Sequence, residues 1–235
     1  MISVIIPALN AEAEMAATLT ALVPAAVDGI IREVIVVDGG SKDRTRQIAD
    51  QAGATVVEAA PGRGGQLAQG AAKARFPWLL FVHADTALEA GWEREAIAFM
   101  RRIDLGERPA AAGAFRFRLD DRGVAPRTLE LLVRARCSVW RRPYGDQGLL
   151  ISRRLFDDIG GYRNLPIMED VDIVRRLGRN RVALLDAAAI TSAQRYKNDG
   201  YCARALRNQL CLAMYRAGLP MSSIVRMYGK SRAIP

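Results

Sequence analysis

The chain has 235 residues, half of them hydrophobic and a quarter charged, which is the composition of an ordinary globular protein with ample material for a core. Its longest purely apolar runs are short, such as WLLFV at residues 78–82, and none approaches the roughly 20 residues that a membrane-spanning helix needs. Charge is uneven: residues 1–100 hold 8 basic and 12 acidic side chains, residues 101–235 hold 26 and 13, and the basic excess is almost all arginine. A positive surface attracts phosphates on nucleotides, nucleic acid or anionic lipid, or it is simply a solvated face. The three cysteines, Cys137, Cys202 and Cys211, are odd in number and lack metal-site spacing, so reduced thiols in a cytoplasmic protein are expected. The opening MISVIIPALN has no basic region and no cleavage site, and no signal peptide is expected.

In chain order, SVIIP (Ser3–Pro7) reads as a strand closed by proline, and residues 11–23 follow with helical composition. EVIVVDGG (Glu33–Gly40) predicts a second strand, β-branched on both faces and therefore buried on both. SKDRTRQIADQAG (Ser41–Gly53) predicts a helix with serine near its start and glycine past its end. TVVEA (Thr55–Ala59) is a third strand, PGRGGQ (Pro61–Gln66) a glycine-rich loop, QLAQGAAKA (Gln66–Ala74) a helix, and WLLFV a fourth strand. This alternation of strand and helix predicts an α/β fold, a Rossmann-like, mostly parallel central sheet flanked by helices. The second half is less regular. GAFRFRL (Gly113–Leu119) alternates like a strand with one wet face, GLLIS (Gly148–Ser152) is another apolar strand, and helices are expected from Glu169 and over residues 200–217. No repeat or linker divides the chain. One domain over 1–235 is expected, with a nucleotide-binding half over 1–100 and an acceptor-binding half over 101–235.

In an open parallel sheet, ligands bind beyond the carboxyl ends of the strands, and right-handed connections bring all those ends to one edge. There the sequence places Pro7, Ala8, Leu9, Asn10 and Glu12 after the first strand and Asp38 after the second. The glycine loop with Arg63 follows the third, and His83, Ala84 and Asp85 the fourth. Asp38 or Asp85 alone reads equally well as a cap or turn residue. Two carboxylates converging with an arginine and the chain's single histidine suit a divalent metal and a diphosphate, because hard cations take one or two carboxylates plus substrate phosphates. A dinucleotide-binding fold would need G-x-G-x-x-G after the first strand, and a P-loop would need G-x-x-x-x-G-K-[ST]; neither string occurs.

SVIIPALNAE, EVIVVDGGSKDRT, GRGGQLAQGAAKA leading into LLFVHADT, then YGDQGLLISRRLFDDIGGY and MEDVDIVRRL, together resemble the family-2 glycosyltransferases of the GT-A fold over about residues 2–196. The combination of HAD, GDQG and MED is similar to a small, stand-alone bacterial branch. The resemblance implies that Pro7 to Glu12 and Asp38 hold the nucleoside, that Arg63 lies near the base or phosphates, and that Asp85 carries the metal, Mn²⁺ or Mg²⁺. It implies further that Asp146 and Gln147, with Gly145, line the sugar and acceptor pocket, that Asp170 is the catalytic base with Glu169 beside it, and that Arg195 touches the diphosphate. The implied donor is a nucleotide-diphosphate sugar, a UDP-sugar by default. The acceptor is unnamed, with a lipid-linked one left open, and nucleic acid is not an expected partner. The chain departs from the family's aspartate-x-aspartate metal motif at His83. An imidazole there could bind Mn²⁺, hydrogen-bond the ribose or diphosphate, or serve the structure alone.

Helical spacing sets Asp170 on one face with Ile173, Val174 and Leu177, looking inward, and sets Glu169 and the Asp172–Arg176 pair on an outer side. An inward carboxylate at a helix start is either an N-cap or a general base. The implied reaction is inverting: Asp170 takes the proton of an acceptor hydroxyl, which attacks the anomeric carbon opposite the leaving diphosphate. Two other readings stand beside it: a sugar nucleotidyltransferase, which would want a basic glycine loop where PALNAE stands, and a non-catalytic binder of anionic polymer or membrane. The helix over 200–217 and LPMSSIVRMYG after it read as core, as a peripheral contact with the inner membrane face, or as a homodimer contact.

Overall fold

The computed structural model describes residues 1–229. The first half runs β1 (Ile2–Ala8), α1 (Glu12–Thr20), α2 (Val23–Val27), β2 (Ile31–Asp38), α3 (Thr45–Gln51), β3 (Thr55–Glu58), α4 (Arg63–Lys73), β4 (Trp78–Phe81), β5 (Thr86–Leu88) and α5 (Trp92–Asp104). The second runs β6 (Ala112–Leu119), α6 (Val124–Trp140), β7 (Leu149–Ser152), α7 (Arg153–Asp158), α8 (Glu169–Leu177), β8 (Val182–Thr191), α9 (Gln194–Asp199), α10 (Tyr201–Arg216) and α11 (Met221–Tyr228). Single 3₁₀ turns lie at Gly145–Gln147 and Arg179–Arg181.

One sheet joins all eight strands in the order β3-β2-β1-β4-β7-β6-β8-β5. The first four are parallel, with Val4 opposite Val34 and Leu80. β7 joins β4 antiparallel, β6 joins β7 antiparallel, β8 is parallel to β6, and β5 is antiparallel to β8. β4 and β5 are thus four places apart in the sheet, about 19 Å if it were flat. The five residue steps from Phe81 to Thr86 reach at most about 17 Å. The sheet therefore has to curl, and residues 82–85 clasp its edge strand β5 back to the interior strand β4.

The period of two along β1 feeds two cores. Val4 and Ile6 join Met15, Val36, Leu80, Trp92, Phe99 and Phe115 on one side. Ile5 joins Ile35, Val37, Leu67, Leu79, Phe81, Phe156 and Ile173 on the other. Each fully buried side chain of this size contributes about 1.5–3 kcal/mol relative to exposure. α4 lies tight on β1 because Gly70 has no side chain: a Cβ there would stand 2.4 Å from Ile5 Cγ2.

Several expectations change. The loop expected over 61–66 is short, since α4 already begins at Arg63. Gly64 is needed for contact rather than flexibility, because a Cβ there would stand 2.2 Å from the Arg163 carbonyl oxygen. β6 is buried on both faces over Ala112–Phe115 and alternates only from Arg116. No helix among the described residues is long and apolar enough to cross a membrane.

Candidate functional site

The strand ends open into a cleft of about 640 Å³. Its floor includes Pro7, Ala8, Leu9 and Asn10, one side carries Arg63 and Gln66 of α4, and His83, Ala84 and Asp85 lie along it. The C-terminal helices add Arg195, Arg204 and Arg207. This gathers the residues expected at the sheet edge except Glu12 and Asp38, and Gln147, expected in the sugar and acceptor pocket, does not line it either. Glu12 faces Arg44 instead, at 3.4 Å, and accepts from the Arg44 N–H. Asp38 is fully buried. One of its oxygens accepts from the N–H groups of Gly40 and Ser41, the other from the Ser41 hydroxyl, and Arg46 lies 3.3 Å away. It shapes the β2–α3 turn beneath the cleft rather than lining it. Gln147 is buried too: its Nε2 donates to the Phe115 carbonyl and its Oε1 accepts from the Tyr144 N–H. It holds the 3₁₀ turn in place.

The turn after β1 is stitched to the turn after β2. Asn10, with φ of 49°, donates its N–H to Ser41 Oγ and accepts from the Lys42 N–H at its side-chain oxygen. The Ala11 N–H donates to Thr45 Oγ1. Gln66 donates to the carbonyls of Ala8 and Val37 and so ties β1, β2 and α4 together at the floor.

His83 pairs with a carboxylate from the second half of the chain. Its Nδ1 is 3.3 Å from Asp146 Oδ1, and its side chain is only 13% exposed. Burial pulls the imidazole's pKa down, but the hydrogen bond and charge of Asp146, helped by Asp85, outweigh burial and Arg63 and raise it. Burial likewise pushes Asp146 up, and His83, Arg195 and Arg63 together hold it well below the usual carboxylate range. Each member of the pair thus favours the charged form of the other. Gly145 lies directly against it: a Cβ there would be 2.6 Å from His83 Cε1 and 3.3 Å from Asp170 Oδ2. Its N–H donates to Asp170 Oδ2 at 2.7 Å.

Asp85 has a half-open carboxylate with Arg195 Nη2 at 3.6 Å. Among the described residues no three His, Cys, Asp or Glu side chains are grouped to hold a metal. The donor set thus fits a hard cation only in the mode where one protein carboxylate, Asp85, is supplemented by phosphate oxygens of the substrate. His83 Nδ1 is already committed to Asp146.

The start of α8 corrects the helical-wheel expectation. Glu169 and Asp172 are the fully buried acids, while Asp170 is half-buried. α8 is covered on more than one side. The first turn of α4 lies over its start, with Arg63 Nε 3.0 Å from Glu169, and Asp172 is held by Arg176 at 2.6 Å, Arg163 and Tyr215. Both buried acids lie on the inner arc of the helix, each against an arginine, while Arg175 faces solvent on the outer side. Burial drives Glu169 up to about 7, and neighbouring Asp170 adds to this; Arg63 only partly offsets it. Asp170 has its two oxygens on the N–H groups of Gly145 and Val171 and borders a hollow of about 20 Å³ shared with His83 and Tyr144.

The wall formed by α9, α10 and Tyr228 was only partly visible in the sequence. Asp199 binds Arg204 at 3.2 Å and Arg207 at 2.8 Å, and Arg204 stacks 4.5 Å from the centre of the Tyr228 ring. The signal was the Arg204–Arg207 spacing of three, one turn of helix.

The sequence model described as glycosyl transferase family 2 matches residues 3–162, more than half of the chain. The chain belongs to glycosyl transferase family 2. Its fold is that of other solved glycosyltransferases. Against glucosyl-3-phosphoglycerate synthase of Mycobacterium tuberculosis, solved with Mn²⁺, UDP and glucosyl-3-phosphoglycerate, the TM-score is 0.61 at 23% identity, covering 94% of this chain and 81% of that one. The same synthase with Mn²⁺ and UDP-glucose gives 0.61 at 22% identity, over 94% and 80%. S. aureus TarS 1–349 gives 0.62 at 18% identity, covering 97% of this chain and 69% of that one. No curated protein sequence matches it. The match to the glycosyltransferase family model spans the clasp at His83–Asp85 and the turn at Gly145–Gln147 and stops short of Glu169 and Asp170.

Proposed function

We propose that this glycosyltransferase moves a sugar from a nucleoside diphosphate sugar to an acceptor hydroxyl with inversion at the anomeric carbon. The carrying observation is the division of labour at α8: both acids line the small hollow beside His83 and Gly145, but Glu169 is fully buried behind Arg63 while Asp170 is half-buried. In this reading Asp170 accepts the proton of the acceptor hydroxyl. The freed oxygen forms its bond to the anomeric carbon as the bond from that carbon to the diphosphate oxygen breaks, and the electron pair leaves with the diphosphate. Arg63, Arg195, Arg204 and Arg207 surround the space where that negative charge develops, and preorganised donors of this kind are the largest usual contribution to such a step. Pro7 to Asn10 form the floor for the nucleoside. A divalent cation held at Asp85 would supply further positive charge to the diphosphate. UDP is the first base to try, because the mycobacterial synthase of similar fold holds UDP and UDP-glucose with Mn²⁺.

The test is thermal unfolding with UDP, GDP, CDP and dTDP, each with Mn²⁺, Mg²⁺ or EDTA. At 100 times its dissociation constant a ligand stabilises by about 2.7 kcal/mol. For a chain of this length that raises Tm by roughly 5–10 °C. We expect a shift with one diphosphate that falls away in EDTA and in Asp85→Ala. No shift with any nucleotide would refute the donor assignment.

A further inference from the structure

α6 buries only Pro126 and Cys137 along its whole length, where it packs on β6. Its outer side carries Val124 at 84% exposure, Leu131 and Leu132 at 64% and Val139 at 56%, with Trp140 at 52% closing the helix. At 100° per residue, Val124, Leu131, Leu132, Ala135 and Val139 fall in a single stripe. Arg134 borders this stripe on one edge beside Arg127, which bonds Glu130; Arg136 on the other edge stacks 4.1 Å over the Tyr144 ring; and the exposed Arg141 and Arg142 follow directly after Trp140. The helix contains one acid, Glu130, which is turned inward, holding Arg127 and the Leu119 N–H. The stripe continues into a groove of about 480 Å³ between α6 and the strands β6 and β8, lined by Phe117, Leu131 and Leu184 with Arg118 and Arg134.

We propose that this face of α6 docks on an anionic lipid bilayer. An apolar stripe edged by arginines, with a tryptophan at its end, has the chemistry of a helix lying in the plane of an interface: leucines enter the acyl region, guanidinium groups reach back to lipid phosphates, and the indole sits at headgroup depth. Charge selects this occupant over a second copy of the chain. A twofold contact sets a patch against itself, which would bring arginine against arginine with no exposed acid on the helix to relieve it. The surface differs from the α10–α11 segment expected from sequence, where Cys211 and Ile224 are buried against each other's helix. α6 also runs directly into the turn that carries Gly145 and Asp146, so docking would bring the catalytic side of the cleft to the lipid surface. The inference is independent of the donor assignment, because it rests on no cleft residue.

The full chain is tested by co-sedimentation with phosphatidylcholine vesicles with and without phosphatidylglycerol, at low and high salt. Trp78 and Trp92 are buried and Trp140 is the exposed one of the three tryptophans, so a blue shift of emission on adding vesicles reports its insertion. We expect binding to the anionic vesicles only, weakened by salt. Leu131→Asp with Leu132→Asp should abolish it, and Arg134→Gln with Arg142→Gln should weaken it roughly 30-fold. All four side chains are exposed, and unchanged circular dichroism would show that the variants fold. Failure of the wild type to bind anionic vesicles, or binding untouched by either double variant, overturns the proposal. So does a dimer in sedimentation velocity that Leu131→Asp dissolves without any lipid, since the face would then belong to a second copy.

Discussion

Replacing Asp170 by asparagine tests the chemistry most directly. Its two oxygens accept from Gly145 at 2.7 Å and Val171 at 2.8 Å. Asparagine keeps the shape but has one acceptor oxygen, so one of these backbone N–H groups meets an amide donor instead. At a half-buried site that costs about 1 kcal/mol, a fall in Tm of a few degrees, and the protein stays folded. The catalytic loss is separate and larger. Removing a positioned base lowers kcat by roughly 10²–10⁴, about 3–5.5 kcal/mol of barrier. Asp170 does not line the nucleotide cleft, so the diphosphate-induced rise in Tm should persist. The assay is release of nucleoside diphosphate from the donor sugar in a single turnover, with Glu169→Gln alongside. Asp170→Asn retaining more than about a tenth of wild-type kcat, or Glu169→Gln falling further than it, would refute the assignment of the base.

Stability should also depend on pH through Glu169. Its folded pKa of about 7 lies above the ordinary value of 4.5, so the folded state binds more protons between the two. The contribution is present below about 4.5 and lost as pH rises towards 7; chemical denaturation across this window should show Glu169→Gln losing less stability than wild type. Gly145→Ala drives a methyl into His83, which lines the cleft, and towards Asp170, and should lower both kcat and the nucleotide-induced rise in Tm, measured by the same single-turnover and thermal assays. Gly70→Ala places a methyl 2.4 Å from Ile5 Cγ2 and 2.9 Å from Val37 Cγ2, an overpacking expected to cost about 1–3 kcal/mol in urea unfolding while the cleft residues stay as they are.

The parallel half of the fold was legible because strands buried on both faces write themselves as unbroken apolar runs, as in SVIIP and WLLFV. The same rule fails for β8, whose ten residues include Asp186 and four alanines. β5 is three residues long, too short to carry a pattern. α6 escaped for a different reason: its leucines point outward, so apolar spacing did not mark a core face. At the sheet edge, the strand-end rule placed His83, Asp85 and Arg63 where the cleft opens. It could not separate Asp38, which is buried in a turn, from residues that line the cleft. The order of Glu169 and Asp170 was invisible because apolar spacing does not count acids as buried, and Glu169 and Asp172 are covered by Arg63, Arg163 and Tyr215 from distant parts of the chain. The partner of His83, Asp146, lies 63 residues away in sequence, and no local spacing announces such a pair.

The clasp at residues 82–85 makes length itself a constrained property. A surface loop elsewhere in the chain can gain or lose residues and remain a loop. Here the link between β4 and β5 is four residues long, shorter than a flat sheet would allow, and it carries the imidazole and the carboxylate of the cleft. A single residue added between Val82 and Thr86 would rotate His83 away from Asp146 and let the far edge of the sheet relax at the same moment. Homologous chains should therefore tolerate changes of residue type in this stretch far better than changes of number, and an alignment of them should run gap-free through it.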